Sequence, residues 1–355
     1  MSNYKSNLIV EKTSKSRIGE IDFSNLVFGQ NFSDHMYVCQ YKDGQWQTPQ
    51  IKPYAPISLD PSASVFHYGQ AVFEGMKAYK DDKGDIFLFR PEENYKRINK
   101  SSARLAIPEF PEDWFDEGLK ALLKLDSDWI KPGFGNSLYL RPFVIATAPG
   151  VMASPSKEYL FFIITSPVQS YYGGDVKVKI ADYYSRAANG GFGAAKAAGN
   201  YAGQFYPTQL AIKEGYQQVI WTDDTTHEYL EEAGTMNLFF RIGDTLITCP
   251  TSDRILDGVT RKSVITMAEK MGIKVEVRPV KVQELIAAAE NGTLNEMFGS
   301  GTAAVISPIS GFGYAGKDYS FERPAQLYAQ KIKDAILNIQ YNQSEDPFGW
   351  RVKVS

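Results

Sequence analysis

The chain has 355 residues, more than a single domain usually contains, so its length favours two domains. With 43% hydrophobic and 22% charged residues, its composition is that of an ordinary globular protein and argues against a disordered, fibrous or membrane protein. The formal net charge of -3, with basic and acidic residues interspersed, predicts that nucleic acid is not a partner.

The two cysteines, Cys39 and Cys249, are far apart and have no metal-ligand spacing. We therefore expect a cytoplasmic protein without a disulfide framework or a metal centre. The first twenty residues carry charges throughout, and the longest strongly apolar run, 159–164, is too short to cross a bilayer. Neither secretion nor membrane insertion is expected.

In chain order, the first predicted elements are two strands joined by a hairpin turn at Asp43-Gly44. A later strand passes into a helix after Pro91, because proline suits the first helical turn. A second helix and two further strands are predicted at 112–130, 136–147 and 157–168. Together these elements indicate an N-terminal α/β domain over 1–168.

Residues 169–176 contain paired glycines and aromatics and are predicted to connect two domains, with the boundary near Gly173. Beyond them, strand-like and helical patterns alternate, which predicts a mixed α/β C-terminal domain over 177–355. Strands are predicted at 176–182, 218–223, 237–250 and 273–280, and helices at 260–272, 282–292 and 323–343, followed by a polar tail that contains Trp350.

One lysine, Lys196, lies among ten glycine and alanine residues in the window 189–204. Small neighbours let a planar ring approach the lysine, and low polarity favours its uncharged, nucleophilic form, which suits a Schiff base. A flexible Gly/Ala loop that carries a solvated lysine would have the same composition. The window alone does not decide between the two.

A pyridoxal cofactor also needs an acid for its ring nitrogen and donors for its phosphate. Glu232, preferred over its neighbour Glu231, is a candidate acid at a strand entrance, although a solvated acidic turn would look the same. The Asp-Gly turn before Val259 and Thr260 opens a helix whose free amides suit an anion, and an ordinary turn is the alternative. The glycines of 298–308 predict a backbone anion nest, which is a weak signal by itself.

Taken together, these segments resemble the branched-chain aminotransferases of the fold-type IV pyridoxal-phosphate enzymes. The resemblance runs from about Phe28 to Pro308. It rests on FGQNFSDHM at 28–36, HYGQAVFEGMKAY at 67–79, LFRPEENYKRI at 88–98, YLRPF at 139–143, AAKAAGNYA at 194–202, EEAGTMNLFF at 231–240, ILDGVTR at 255–261 and FGSGTA at 298–303. Eight such motifs in the family's order make coincidence remote.

The resemblance implies an α+β, two-domain fold of the D-amino acid aminotransferase type, with the smaller domain at the N-terminus. It also implies a pyridoxal 5'-phosphate enzyme that transfers the amino group of L-leucine, L-isoleucine or L-valine to 2-oxoglutarate by a ping-pong mechanism. Lys196 would hold the cofactor and act as the catalytic base and acid. The other cofactor-binding residues implied are Arg90, Tyr201, Glu232, Thr235, Leu256, Gly258, Val259, Thr260 and Thr302.

The substrate-binding residues implied by the resemblance are Phe28, Tyr68, Phe73, Tyr139, Arg141, Val151, Tyr201, Thr235, Thr302 and Ala303. The family forms homodimers with shared active sites, so Tyr68, Arg141 and Val151 are expected to reach the pocket from the partner subunit. His67 and Glu74 are expected to be framework residues, and the remaining two histidines, His35 and His227, have no role that the sequence indicates.

Two departures from the family pattern are visible. Ala304 and Ser307 replace the Cys-x-x-Cys pair of some members, so no thiol switch is expected. Asp257 stands where many relatives have proline, which would loosen the turn before Gly258.

Competing interpretations are another fold-type IV enzyme, such as a D-amino acid aminotransferase or an aminodeoxychorismate lyase, and a binding protein that keeps the fold without catalysis. Chain length and the YLRP and FEGMKAY motifs argue against the first. The presence of Lys196 and Glu232 argues against the second. The preference among leucine, isoleucine and valine is left open, because one methyl group changes binding by only about 1 to 3 kcal/mol.

Overall fold

The computed structural model describes residues 6–169, 174 and 176–354. The chain forms two compact units, the first made of Met1–Ser170, Ala195–Gly199 and Asn338–Ser355, and the second of Tyr171–Ala194 and Asn200–Leu337. The sequence-based division had assigned both Lys196 and the C-terminal residues to one continuous C-terminal domain, whereas their contacts group them with the first unit. Most of the predicted connector, 169–176, lies outside the described residues.

The strands, in chain order, are β1 (Ile9–Val10), β2 (His35–Lys42), β3 (Gln45–Trp46), β4 (Gln50–Pro53), β5 (Ala71–Phe73), β6 (Met76–Lys80), β7 (Ile86–Phe89), β8 (Ser137–Ala146), β9 (Tyr159–Val168), β10 (Val176–Ile180), β11 (Gln218–Thr222), β12 (Leu230–Ala233), β13 (Met236–Ile242), β14 (Thr245–Thr248), β15 (Lys274–Val277), β16 (Leu294–Gly301), β17 (Val305–Tyr314), β18 (Lys317–Ser320) and β19 (Arg351–Lys353).

The helices are α1 (Ser64–Tyr68), α2 (Pro91–Arg104), α3 (Glu112–Leu125), α4 (Ala198–Ala202), α5 (Phe205–Lys213), α6 (Val259–Lys270), α7 (Val282–Glu290) and α8 (Tyr328–Gln340). Short 3₁₀ turns occupy Ile18–Glu20 and Ser127–Trp129. Among the described residues, no helix combines the length and the apolar character needed to span a bilayer.

In the described part of the first unit, ten strands form one sheet with the order β1-β4-β2-β9-β8-β6-β7-β19, with β3 beside β2 and β5 beside β8. The predicted hairpin turn is confirmed, since both Asp43 (φ 53°) and Gly44 (φ 80°) have the positive φ of a type I′ turn. The predicted passage from strand to helix is also confirmed, with β7 followed by α2, whose first residue is Pro91.

The core of the first unit lies between this sheet and the helix α3. The helix buries Phe115, Leu119 and Leu122, whose spacing of four and three residues puts them on one face. A side chain at Gly118 would overlap the ring of Tyr37 on β2, so the glycine lets the helix lie close to the sheet.

The predicted polar tail is wrong. Trp350 is buried, and β19 adds an antiparallel strand beside β7. The segment is too short and too polar for its own pattern to indicate a strand, and the unpaired edge of β7 determines its conformation.

In the second unit, a nine-stranded mixed sheet runs in the order β12-β11-β10-β17-β16-β13-β14-β15, with β18 beside β17. Strand β10 is parallel to both of its neighbours, whereas β13 and β16 are antiparallel, as expected for a mixed domain. Strand β16 is not predicted from the sequence, because its glycines weaken the strand signal. Helix α8 begins later than predicted because the Glu296 carboxylate accepts the amides of Tyr328 and Ala329 at 2.8 and 3.0 Å.

Candidate active site

Lys196 lies in the first unit, and its main chain is held on both sides. Its amide donates to Ser101 Oγ on α2 at 2.9 Å, and its carbonyl accepts from the amide of Phe73 on β5 at 3.0 Å. Ala197 forms a bridge with Val72. The amine Nζ lies 4.8 Å from the centre of the Phe73 ring. The lysine segment is therefore anchored, and the flexible-loop interpretation does not describe it.

The ring of Phe73 also contacts Arg141, whose Cζ lies 4.6 Å from the ring centre. The guanidinium donates to Tyr139 Oη at 2.8 Å, and Phe28 packs edge-on against the Tyr139 ring with centroids 5.0 Å apart. One aromatic ring thus joins Arg141 to Lys196 of the same chain. Arg141 therefore lies beside Lys196 in the single chain, whereas the resemblance implied that it serves the lysine of the partner subunit.

Tyr68 and Val151, the other two residues expected to reach a partner, are exposed in the single chain. Tyr68 is 48% and Val151 66% exposed, and the Tyr68 hydroxyl donates to the Val151 carbonyl. Apolar side chains left in solvent at this level indicate a surface that is suited to contact with another molecule.

Arg90 has an unusual backbone conformation for a residue other than glycine, with a φ of 51°. Its amide donates to the Trp350 carbonyl at 2.7 Å, and its guanidinium carbon lies 5.2 Å from the centre of the Trp350 ring. Its Nη2 lies 4.0 Å from Glu93 Oε1. Strain of this kind persists only where the surroundings enforce it. Arg90 is thus held in place by a tryptophan that the sequence analysis left in a tail.

Both candidate acids lie on β12 in the second unit, and both are buried, so the solvated acidic turn is excluded. Adjacent residues of a strand point to opposite faces, and accordingly the two acids have different partners. Glu231 pairs with Arg254, and Glu232 pairs with Arg186. Burial raises the pKa of Glu231, although Arg254 acts in the opposite direction.

The carboxylate of Glu232 is linked to the start of α6. Its Oε2 accepts from Asn237 Nδ2 and from the amide of Leu256, both at 3.2 Å. Asn237 also donates to the Leu256 carbonyl at 2.9 Å. A side chain at Gly258 would overlap Asn237 Oδ1, so the glycine permits this close approach. An acid and a helix N-terminus are therefore parts of one connected cluster.

At the start of α6, Gly258 is extended and precedes the first-turn residues Val259 and Thr260, both of which are buried. The first amides of a helix have no partner within the helix, which makes this end suited to an anion. Asp257 pairs with Lys262 at 2.8 Å. That pair balances the charge introduced where many relatives have proline.

The predicted glycine nest takes a different form. Gly299 and Gly301 lie within the strand β16, and a side chain at Gly299 would lie 2.7 Å from Met236 Sδ, so that glycine serves close packing. The turn that follows contains Thr302 and the exposed Ala303. It ends at Val305, a β-branched residue with a φ of 62°, which is a conformational outlier.

The remaining candidates are less constrained. Tyr201 is half-buried on α4, and Thr235 is exposed in the turn between β12 and β13.

The histidines have structural partners in the described chain. His35 Nδ1 lies 2.6 Å from Asp126, His67 Nε2 lies 3.0 Å from the Pro61 carbonyl, and His227 Nδ1 lies 2.8 Å from Thr222 Oγ1.

Four residues around these groups are not predicted from the sequence. Arg186 pairs with Glu232, Asn237 joins that acid to α6, Trp350 faces Arg90, and Ser300 has a buried hydroxyl without a hydrogen-bond partner among the described residues. Asn237 was detectable, because an asparagine within the apolar run MNLFF requires a buried partner. The pairing of Arg186 depends on residues far away in the chain and leaves no local signal.

Comparison with known proteins identifies the family of the chain. The sequence pattern of the family described as amino-transferase class IV matches residues 71–312. The chain belongs to the class IV aminotransferase family, whose members depend on pyridoxal phosphate. It is 45% identical to the branched-chain-amino-acid transaminase 1 of Bacillus subtilis over 94% of this chain and 95% of the relative.

Solved structures share the fold. The branched-chain amino acid aminotransferase of Escherichia coli has a TM-score of 0.72 and 23% identity, and the match covers 90% of this chain and 99% of that one. The branched-chain amino acid aminotransferase of Thermobaculum terrenum, solved in its pyridoxal-phosphate form, has a TM-score of 0.73 and 22% identity, covering 90% and 98%. The expected fold-type IV, α+β fold is confirmed.

Proposed function

We propose that the chain is a pyridoxal-phosphate-dependent aminotransferase that transfers the amino group of L-leucine, L-isoleucine or L-valine to 2-oxoglutarate. The observation that carries the proposal is the cluster in which Asn237 joins Glu232 to the start of α6. A buried carboxylate suits a protonated ring nitrogen, and free helix amides suit a phosphate. The names of the relatives support the choice of substrates.

The residues present fit the cofactor. When bound, pyridoxal phosphate supplies an electron-withdrawing ring that makes the substrate Cα–H acidic. Glu232, held by Arg186, keeps a negative charge for the ring nitrogen. Arg90, the amides of Val259 and Thr260, the Thr260 hydroxyl and Thr302 would bind the phosphate.

The other proposed contacts to the cofactor follow the family resemblance. Tyr201 would donate a hydrogen bond to the phenolic oxygen, and Thr235, Leu256 and Gly258 would also contact the cofactor.

Lys196 would be the residue that holds the cofactor covalently, and its free Nζ amine would be the base and acid that moves the proton of the substrate Cα. The Lys196 amide donates to Ser101 and the Lys196 carbonyl accepts from Phe73, and these two bonds limit the movement of the main chain, so the amine alone has to move. This restriction is the positional advantage that an anchored base has over a mobile one.

The substrate side chain contacts Phe28, Phe73 and Tyr139, which provide apolar surface for an isobutyl group. Arg141, beside the same rings, pairs with the second carboxylate when the substrate is glutamate or 2-oxoglutarate. One pocket thus accepts both substrates of the ping-pong cycle. The Thr302 and Ala303 amides bind the α-carboxylate.

The protein acts in the cytoplasm as a homodimer with shared active sites. The exposed Tyr68 and Val151 of one subunit complete the pocket of the other, which gives their solvent-facing apolar surface a partner.

The experiment that tests the function supplies L-leucine, 2-oxoglutarate and cofactor and measures glutamate. The expected result is multiple turnovers and a visible absorption band that moves when L-leucine is added. Lys196→Ala should lose both, whereas Lys179→Ala, at a lysine paired with Glu214, should keep both. Turnover with D-alanine but not L-leucine, or pyruvate release from aminodeoxychorismate, would assign the chain to another fold-type IV activity.

A further inference from the structure

Helix α2 carries a stripe of buried polar side chains, made of Asn94, Arg97 and Ser101. Their spacing of three and four residues places them on one face of the helix. Polar side chains are rarely buried without a hydrogen-bond partner, because their removal from water costs free energy that only new hydrogen bonds offset. The stripe therefore has a specific set of partners.

Two members of the stripe bind Glu74, which is 0% exposed. Arg97 donates from Nε and Nη2 at 2.6 and 2.8 Å, and Asn94 donates from Nδ2 at 2.7 Å. The ion pair is bidentate and enclosed. Removing one partner of such a pair leaves an uncompensated charge in a medium that screens it poorly.

The third member of the stripe holds the lysine. Ser101 Oγ accepts the Lys196 amide, and Phe73, the residue before Glu74, donates its amide to the Lys196 carbonyl. Burial alone would raise the pKa of Glu74, but the charge and hydrogen bonds of Arg97, together with the charge of Lys196, hold that pKa below its ordinary value. The buried pair and the lysine are thus coupled both through the backbone and through charge.

We propose that Glu74, Arg97 and Ser101 are positioning residues for Lys196. Ser101 fixes the main chain of the lysine, and the balance between the charges of Glu74 and Arg97 determines how readily the nitrogen of Lys196 takes up a proton. Arg141 faces the same Phe73 ring from β8 and adds a positive charge to these surroundings. This inference rests on the proposed function, in which that nitrogen carries the cofactor.

The test is a pH titration of the visible absorption band in the full-length enzyme loaded with pyridoxal phosphate. In Glu74→Gln the charge of Arg97 is uncompensated, so the midpoint should fall by about one pH unit. In Arg97→Gln the charge of Glu74 is uncompensated, so the midpoint should rise by about the same amount. The double variant Glu74→Gln/Arg97→Gln should return close to the wild-type midpoint.

Opposite shifts of the two single variants are a signature that loss of packing does not produce. Equal midpoints, or shifts in one direction, would overturn the charge coupling. If circular dichroism shows that Arg97→Gln does not fold, Glu74→Gln and the double variant still test the proposal. The midpoint must shift in Glu74→Gln and must not shift in the double variant.

The role of Ser101 is measured separately. Ser101→Ala should weaken cofactor binding about fivefold, the equivalent of one lost hydrogen bond. Ser102→Ala, at the adjacent buried serine, should leave the dissociation constant unchanged. Equal effects of the two variants would show that Ser101 acts only through the stability of α2.

A wild-type enzyme without a visible band would overturn the proposed function itself, whereas identical titrations of wild type and variants would overturn only this inference.

Discussion

The guanidinium of Arg186 forms a buried ion pair with the carboxylate of Glu232. Arg186 also donates to the Gly193 carbonyl at 3.3 Å and to the carbonyl of Arg254. One side chain thereby ties the proposed acid to the glycine-rich segment that precedes Lys196. A cation in this position favours the ionised form of Glu232, which is the form required to keep a ring nitrogen protonated.

Substitution of the two neighbouring acids should have different effects, with Glu232 needed for activity and Glu231 for stability. Glu232→Gln should lower kcat by about a hundredfold or more, since a neutral amide does not hold the ring nitrogen protonated. Glu231→Gln should keep kcat within a few fold but destabilise the fold by about 3 kcal/mol, because Arg254 loses its buried partner. Steady-state rates at saturating cofactor and urea unfolding measure the two effects. The opposite ranking in kcat would mean that Glu231 is the acid.

Gly258→Ala should weaken cofactor binding by about tenfold, the typical cost of an added methyl group in a packed site. The new side chain would displace Asn237, which holds both Glu232 and Leu256. Titration with pyridoxal phosphate, followed by absorbance, gives the dissociation constant. Gly19→Ala is the matched control, because a side chain at Gly19 meets nothing within 4 Å. Unchanged affinity in Gly258→Ala would separate the start of α6 from the phosphate.

Mixing inactive subunits distinguishes residues that act within one chain from residues that act across a dimer. Lys196→Ala mixed with Arg141→Ala should restore no activity with 2-oxoglutarate, because Arg141 and Lys196 of the same chain contact one ring. Lys196→Ala mixed with Tyr68→Ala should recover up to about a quarter of wild-type activity, since half of the dimers are mixed and each has one complete site.

The mixing experiment requires proof of subunit exchange, for example by native mass spectrometry of differently tagged chains. Recovery with the Arg141→Ala partner would show that the arginine acts across the dimer. Failure of the Tyr68→Ala mixture despite exchange would contradict the shared-site proposal.

Lowering the pH should destabilise the second unit, partly because the Asp223 carboxylate becomes protonated. Burial opposes its ionisation, but hydrogen bonds from Tyr229 and Thr226 dominate and lower its pKa to about 2. An acid whose folded-state pKa is depressed contributes stability above its ordinary pKa and loses it as the pH falls, here between about 4 and 2. Urea unfolding at several pH values should show a shallower acid dependence in Asp223→Asn than in wild type.

The control for this experiment is Asp244→Asn, because the Asp244 side chain is 92% exposed. Its acid dependence should match that of the wild type. An Asp223→Asn variant with the wild-type slope would show that other groups control acid unfolding.

The family could be predicted from local patterns in the amino-acid sequence, and the same patterns indicate a candidate lysine, a candidate acid and a helix start. These features are carried by local patterns: Lys196 among small residues, Glu232 at a strand entrance and Gly258 before a helix. Local elements such as the Asp43-Gly44 turn and α2 were also predictable, since turn chemistry and helix-starting residues act over a few positions.

The groups that hold these residues could not be predicted and are known from the three-dimensional structure. Arg186 and Glu232 are 46 positions apart, and Trp350 meets Arg90 from the other end of the chain. Arg141 lies beside the lysine of its own chain, where the sequence interpretation had placed it across a dimer. The physical reason is that ion pairs, ring contacts and strand edges depend on distance in space, and a linear pattern carries no information on the distance between remote residues.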